Sequence, residues 1–130
     1  MSNEIYNLLD YVKPIPKIGQ KLIKKYFPGA LTLVLEKSDK TKDYITSNKN
    51  TVGIRVPNNE FFEKLCSMID GGVLATTSAN ISGEAPALTY EEALNYIGDK
   101  VDLVIPDYGC VAKGKASTVV GFKEGEVIVL

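Results

Sequence analysis

Apolar residues recur at helical spacing near the start of the chain and then give way to strict alternation. The stretch Glu4 to Val12 and the stretch Pro16 to Phe27 read as helices. The second carries Ile18, Leu22, Ile23 and Tyr26 on one face, with Pro16 placed for its first turn. Pro28-Gly29 ends it, and Leu31 to Leu35 follows as an apolar run short enough for a buried strand. A polar, lysine-rich loop fills Glu36 to Lys49. Thr51 to Val56 then alternates, with Val52, Ile54 and Val56 on one face and Thr51, Gly53 and Arg55 on the other.

The second half repeats the mixture. Asn58 or Asn59 can cap a helix running to about Ile69, which Gly71-Gly72 would end ahead of a short strand, Val73 to Ala75. Thr89 to Glu92 forms a capping box, and Tyr90, Ala93, Leu94 and Ile97 continue it as a helical stripe up to Gly98. Val101 to Ile105, Ser117 to Val120 and Val127 to Leu130 are the remaining strand candidates, with a hairpin expected around Glu124-Gly125. The fold class is therefore α/β or α+β, a mixed sheet with flanking helices. With neither a repeat nor a low-complexity stretch, residues 1–130 read as one unit.

Composition narrows the chemistry. At 130 residues and 45% hydrophobic, the chain is long enough for a real core. Its net charge of −1 means that a nucleic-acid partner would need a local patch, such as Lys17, Lys21, Lys24 and Lys25 along one helix. That lysine face reads more simply as a solvated one. No apolar stretch could span a bilayer and Met1 to Glu4 has no signal-peptide character, so a cytoplasmic protein is expected. The chain has two cysteines without Cys-x-x-Cys spacing and no histidine, which excludes a zinc site of the usual kind and histidine acid–base catalysis. Cys66 falls on an apolar helix stripe; Cys110 sits in a loop beside Gly109, a thiol without a histidine base.

Three segments carry candidate chemistry. Arg55 is the sole arginine, set within Val52 to Pro57 where lysine supplies every other positive charge of the chain. It is either a surface strand arginine or an anion ligand, since only a guanidinium offers a planar fork that meets a carboxylate or phosphate bidentately. Leu74 to Gly83 leads from apolar residues into Ser78 and Asn80, among side chains small enough for close approach to an anion. The same residues are those that turns favour. Lys113-Gly114-Lys115-Ala116-Ser117 brings a hydroxyl to the start of a strand behind two lysines.

Pro28 to Leu33, Gly53 to Pro57, Thr77 to Gly83 and Ser117 to Val120 together resemble, in order and spacing, the YrdC-like threonylcarbamoyl-AMP synthases. The resemblance covers essentially the whole chain. It implies a twisted mixed sheet and a nucleotidyltransferase reaction in which ATP with magnesium, L-threonine and bicarbonate give threonylcarbamoyl-adenylate and pyrophosphate. A carbamate oxygen attacks the α-phosphate, and positioning and charge neutralisation do most of the catalysis. The product serves tRNA modification, so tRNA, double-stranded RNA or a threonylcarbamoyl-transferase complex would be partners.

Carried onto this chain, the resemblance places Arg55, Thr76 and Ser117 on L-threonine and Ser78, Asn80 and Thr51 on ATP, with Pro86 bordering the adenine. It assigns no catalytic side chain and no protein-held metal. Ala116 and Gly121 depart from the family's usual proline and acidic residue. The family's Thr-x-Thr-x-Tyr-Gly-Leu and Lys-x-Arg segments find no match, nor does an arginine following the last strand. An incomplete domain, inactive alone, is the resulting expectation. Two other readings stay open: the YrdC-like domain of hydrogenase-maturation carbamoyltransferases, and an RNA-binding module without catalysis.

Overall fold

Leu33 is fully buried at the centre of the sheet, and the order of the strands follows from its neighbours. The computed structural model describes every residue except 110, 111 and 113, so the expectations for Cys110 and Lys113 lie outside the described residues. The described chain forms two units, one from Met1–Ala75 with Ser117–Leu130 and the other from Thr76–Ala116.

In the first unit, β1 (Leu31–Glu36) pairs antiparallel with β2 (Thr51–Ile54) and parallel with β3 (Thr118–Lys123). β3 pairs antiparallel with β4 (Glu126–Val129), which gives a mixed sheet in the order β2-β1-β3-β4. The β3–β4 turn lies at Glu124-Gly125, both with positive φ (51° and 84°), the combination a two-residue hairpin turn needs. Register sets Leu33 opposite Ile54 and beside Val120, and these join Leu8, Val12, Leu31, Leu35 and Val56 in one core. α1 (Lys17–Tyr26) covers that core with Leu22 and Ile23, while its lysines remain exposed.

The first predicted helix forms as a 3₁₀ helix, Ile5–Tyr11. Ile5, Leu8 and Tyr11 recur every third residue, and a three-residue turn stacks them on one face where an α-helix would let them drift. α2 (Glu60–Ser67) starts at Asn59, whose side chain accepts from the Phe62 amide at 2.8 Å, and it buries Cys66 as the stripe predicted. Val73–Ala75 is not a strand: Val73 makes a single antiparallel bridge, with Ser2, before that partner segment turns into the 3₁₀ helix.

The second unit contains α3 (Tyr90–Ile97) and no strand among its described residues. Thr89 caps α3 by accepting from the Glu92 amide at 3.2 Å, while Glu92 reaches back to the Leu88 amide at 2.7 Å, one residue beyond the expected partner. Val101 to Ile105 forms no strand: Val101 and Asp102 lie in a bend and the residues after them are irregular. The alternating Val101, Leu103 and Ile105 are all exposed, and among the described residues the run has no ladder partner.

Candidate functional site

The face of the sheet opposite the core is laid out by the same alternation that builds the core. Along β2 it carries Thr51 and Gly53 and, just past the strand, Arg55; along β1 it carries Thr32 and Val34. Val34 pairs with Gly53 and Thr32 with Val119, so Ser117, two residues before Val119, belongs to this face as well.

Arg55 and Ser117 flank the start of β1. The residues leading into β1 hold both neighbours: the Gly29 carbonyl accepts from Arg55 Nε at 2.9 Å, and the Ala30 carbonyl accepts from the Thr118 amide, also at 2.9 Å. Arg55 and Ser117 are thus separated by one intervening strand, about 10 Å between backbones, a gap that an arginine and a small ligand can bridge. Ser117 Oγ lies 2.7 Å from Thr32 Oγ1.

The environment of Arg55 is unusual for a cation. It is half-buried, and burial lowers its pKa from the ordinary value. The guanidinium nevertheless stays charged, because its ordinary pKa is so far above neutrality. Among the described residues no carboxylate pairs with it. One N–H is fixed on a backbone carbonyl, which leaves the terminal nitrogens to meet an anion from a preset direction.

Gly53 keeps the strip between Thr51 and Arg55 flat. A Cβ there would stand 3.3 Å from the Thr32 methyl. Thr51 lies on the same face but opposite Glu36, toward the far end of β1 and about 13 Å along the strand from Arg55. It cannot share a small ligand with Arg55; only a molecule as long as a nucleotide could touch both. A polar groove reaches Thr51 at that end, lined also by Lys13, Glu36, Lys37 and Asp43. Two of its lysines are matched by acids: Lys13 pairs with Glu36 at 3.0 Å, and Lys37 with Asp43, whose carboxyl pKa is held down by that hydrogen bond.

The second unit holds Thr76, Ser78, Asn80 and Pro86. Thr76, Ser78 and Pro86 are exposed. Asn80 is the organiser of the loop: its Nδ2 donates to the carbonyls of Ile81 and Glu84, each at 2.9 Å. Backbone bonds from Glu84 to Ile81 and from Ala87 to Ala79, also 2.9 Å, close the same turn. The amide of Asn80 is therefore already engaged, and donation to a phosphate would require breaking one of these bonds. What Asn80 leaves over is an acceptor, since its Oδ1 is buried without a partner. Ser78 remains the available hydroxyl of the pair. Lys115 is exposed.

Sequence reasoning placed Thr32 and Gly29 in the family-like segment Pro28 to Leu33 but gave neither a role in the site. Thr32 could have been found, because it is the single polar side chain inside the apolar run Leu31 to Leu35 and falls on the face of Arg55 by parity. Gly29 gave no such signal, since its part is played by a backbone carbonyl. Among the described residues no three His, Cys, Asp or Glu side chains converge as a metal cluster. Nor is any helix there long and apolar enough to cross a membrane.

The Sua5/YciO/YrdC family model, described as telomere recombination, matches residues 1–130. The chain belongs to this family. A threonylcarbamoyl-AMP synthase of Pyrococcus abyssi is 36% identical over 119 residues, covering 91% of this chain and 34% of that protein. A putative threonylcarbamoyl-AMP synthase of Methanocaldococcus jannaschii is 35% identical over 111 residues, covering 85% of this chain and 50% of its own length. The Sua5/YciO/YrdC chain described here thus spans half or less of both relatives.

Solved structures agree with the family's fold. The crystal structure of P. abyssi Sua5 complexed with L-threonine superposes with a TM-score of 0.82 at 29% identity, over 99% of this chain and 37% of that one. E. coli YciO superposes with a TM-score of 0.78 over the full chain and 62% of its own, and at 21% identity it bears on the fold alone.

Proposed function

We propose that this chain carries the L-threonine-binding face of a threonylcarbamoyl-AMP synthase and takes part in joining ATP, L-threonine and bicarbonate into threonylcarbamoyl-adenylate for tRNA modification. Residues 1–130 would be a portion of that family's domain. The observation that carries the reading is the guanidinium of Arg55, charged, half-buried, without a carboxylate partner among the described residues and aimed by Gly29. A half-buried cation in that condition is stabilised by an anion that forms parallel hydrogen bonds with its fork. An α-carboxylate fits, with the Ser117 hydroxyl on the neighbouring side supplying a third donor.

Such a pose fixes the carboxylate end of threonine and leaves its amino group to carry the carbamate. Thr76 would complete the amino-acid site. Ser78 would face the phosphates of ATP, whose magnesium arrives with the nucleotide as substrate, and Asn80 would hold the Ser78 loop in shape. Thr51 and Pro86 would border the nucleotide. The relatives' names support this reading over the carbamoyltransferase and RNA-module alternatives. The P. abyssi protein solved with L-threonine, which shares the fold at 29% identity, supports the choice of amino acid.

The test is calorimetric titration of the purified chain with L-threonine and, separately, with magnesium-ATP. Arg55→Lys keeps the charge but loses the planar fork, and is expected to weaken L-threonine by about 1–3 kcal/mol while leaving ATP nearly unchanged. Ser117→Ala should follow the same pattern with a smaller loss. Unchanged L-threonine affinity in both variants would remove the assignment.

A further inference from the structure

We infer that Thr32 is a positioning residue for the amino-acid site, acting through Ser117 by donating a hydrogen bond that turns the serine proton toward the ligand. This rests on the threonine-site reading above and extends it to a residue of the Pro28 to Leu33 segment to which that reading gives no role.

By geometry either hydroxyl could donate, and the ligand decides which does. Thr32 Oγ1 and Ser117 Oγ are 2.7 Å apart, an ordinary hydroxyl–hydroxyl bond, and each group owns one proton and two lone pairs. In this pair one proton is used and one remains free. If Ser117 were the donor, it would present only lone pairs outward, and a carboxylate, which is acceptor-only, would be repelled. If Thr32 donates, Ser117 accepts from behind and its own proton is the one left for the carboxylate. An anion in the site therefore selects the second arrangement, and donation into Ser117 also polarises its O–H toward that anion.

Thr32 is held in place for this role. It lies on β1 between the two strands that supply Arg55 and Ser117, and its alternating neighbours Leu31 and Leu33 are both buried, so the backbone beneath it is fixed. As a β-branched residue it is stiff at χ1. Its methyl comes close to Gly53, where a Cβ would be only 3.3 Å away, and that contact helps hold the side chain in the orientation that directs Oγ1 at Ser117.

Three variants of the full chain separate the roles, each titrated with L-threonine and each melted. Thr32→Val keeps the shape and removes the hydroxyl; its dissociation constant should rise about five- to tenfold. Thr32→Ser restores the donor and should return affinity to within about twofold of wild type. Thr32→Val combined with Ser117→Ala should bind no more weakly than Ser117→Ala alone, because the first residue acts through the second. A role in folding only would lower the melting temperature of Thr32→Val without that non-additivity and without rescue by serine. Wild-type affinity in Thr32→Val alongside a weakened Ser117→Ala overturns this inference and spares the site. Wild-type affinity in Ser117→Ala and Arg55→Lys, or no L-threonine binding by the wild-type chain, overturns the site and this inference with it.

Discussion

Arg55 Nε donates to the carbonyl of Gly29 at 2.9 Å, and the amide of that same glycine donates to the Val56 carbonyl at 2.8 Å. The two bonds fasten the segment before β1 to the end of β2 on both sides of one residue. The guanidinium is aimed by backbone and needs no second side chain to hold it. Backbone placement also makes the arrangement sensitive to any shift of residue 29.

Gly29→Ala should produce such a shift. A Cβ at that position would lie 2.5 Å from the Tyr26 carbonyl oxygen, too close to be absorbed by a side-chain movement. The expected cost is about 1–3 kcal/mol in a urea titration, the usual range for overpacking. L-threonine affinity should fall as well, because the carbonyl that directs Arg55 moves with the chain. A variant with wild-type stability would mean that the approach to Tyr26 is looser than described.

Gly53→Val tests the flat strip on the ligand face. Valine suits a strand, so local preference favours the substitution. Its side chain would nevertheless stand on the face between Thr51 and Arg55 and press on the Thr32 methyl. Folding should survive within about 1 kcal/mol by chemical denaturation, while binding of L-threonine and of ATP both fall by tenfold or more, estimated from a loss of about 1.4 kcal/mol or greater. Retained binding of both ligands would show that nothing lies along this strip.

How far the sequence reached can be judged from these residues. The alternation of Thr51 to Val56 placed Arg55 off the core face, and Asn59, Thr89 and the Glu124-Gly125 turn were legible because their chemistry is local. The single bridge at Val73 and the unpaired run Val101 to Ile105 were not, since a short apolar run carries no information about whether a partner strand exists. The helix read at Glu4 to Val12 is present as Ile5–Tyr11, but its 3₁₀ winding was not legible, because spacings of three and of four differ little over seven residues. In the candidate site, residue type is what singled out Arg55 and Ser78 as candidates. The engagement of the Asn80 amide was hidden, because it depends on where two carbonyls of its own loop fall.

Leu33→Ala examines the core beneath the site. The side chain has no solvent exposure and sits between Ile54 and Val120 on adjacent strands. Its truncation should cost about 2–5 kcal/mol, a large share of the stability of a small domain. The check is equilibrium denaturation followed by far-ultraviolet circular dichroism, and a loss below about 1 kcal/mol would contradict the packing described.

Asn80 offers the sharpest separation between holding a loop and holding a ligand. Its Nδ2 bonds to the Ile81 and Glu84 carbonyls clamp the turn that follows Ser78, while the Oδ1 remains buried and unpartnered. Asn80→Asp is nearly isosteric, but it replaces the double donor by an acceptor facing two carbonyls, and a carboxylate there would also repel phosphate. Asn80→Ala loses the clamp without adding charge. Both variants should speed hydrogen exchange at the amides of Glu84 and Ala87, which close the same turn. Ser78→Ala should leave that exchange unchanged while still weakening magnesium-ATP. If Asn80→Ala weakens ATP with no change in exchange, Asn80 touches the nucleotide directly and its role as a clamp is wrong.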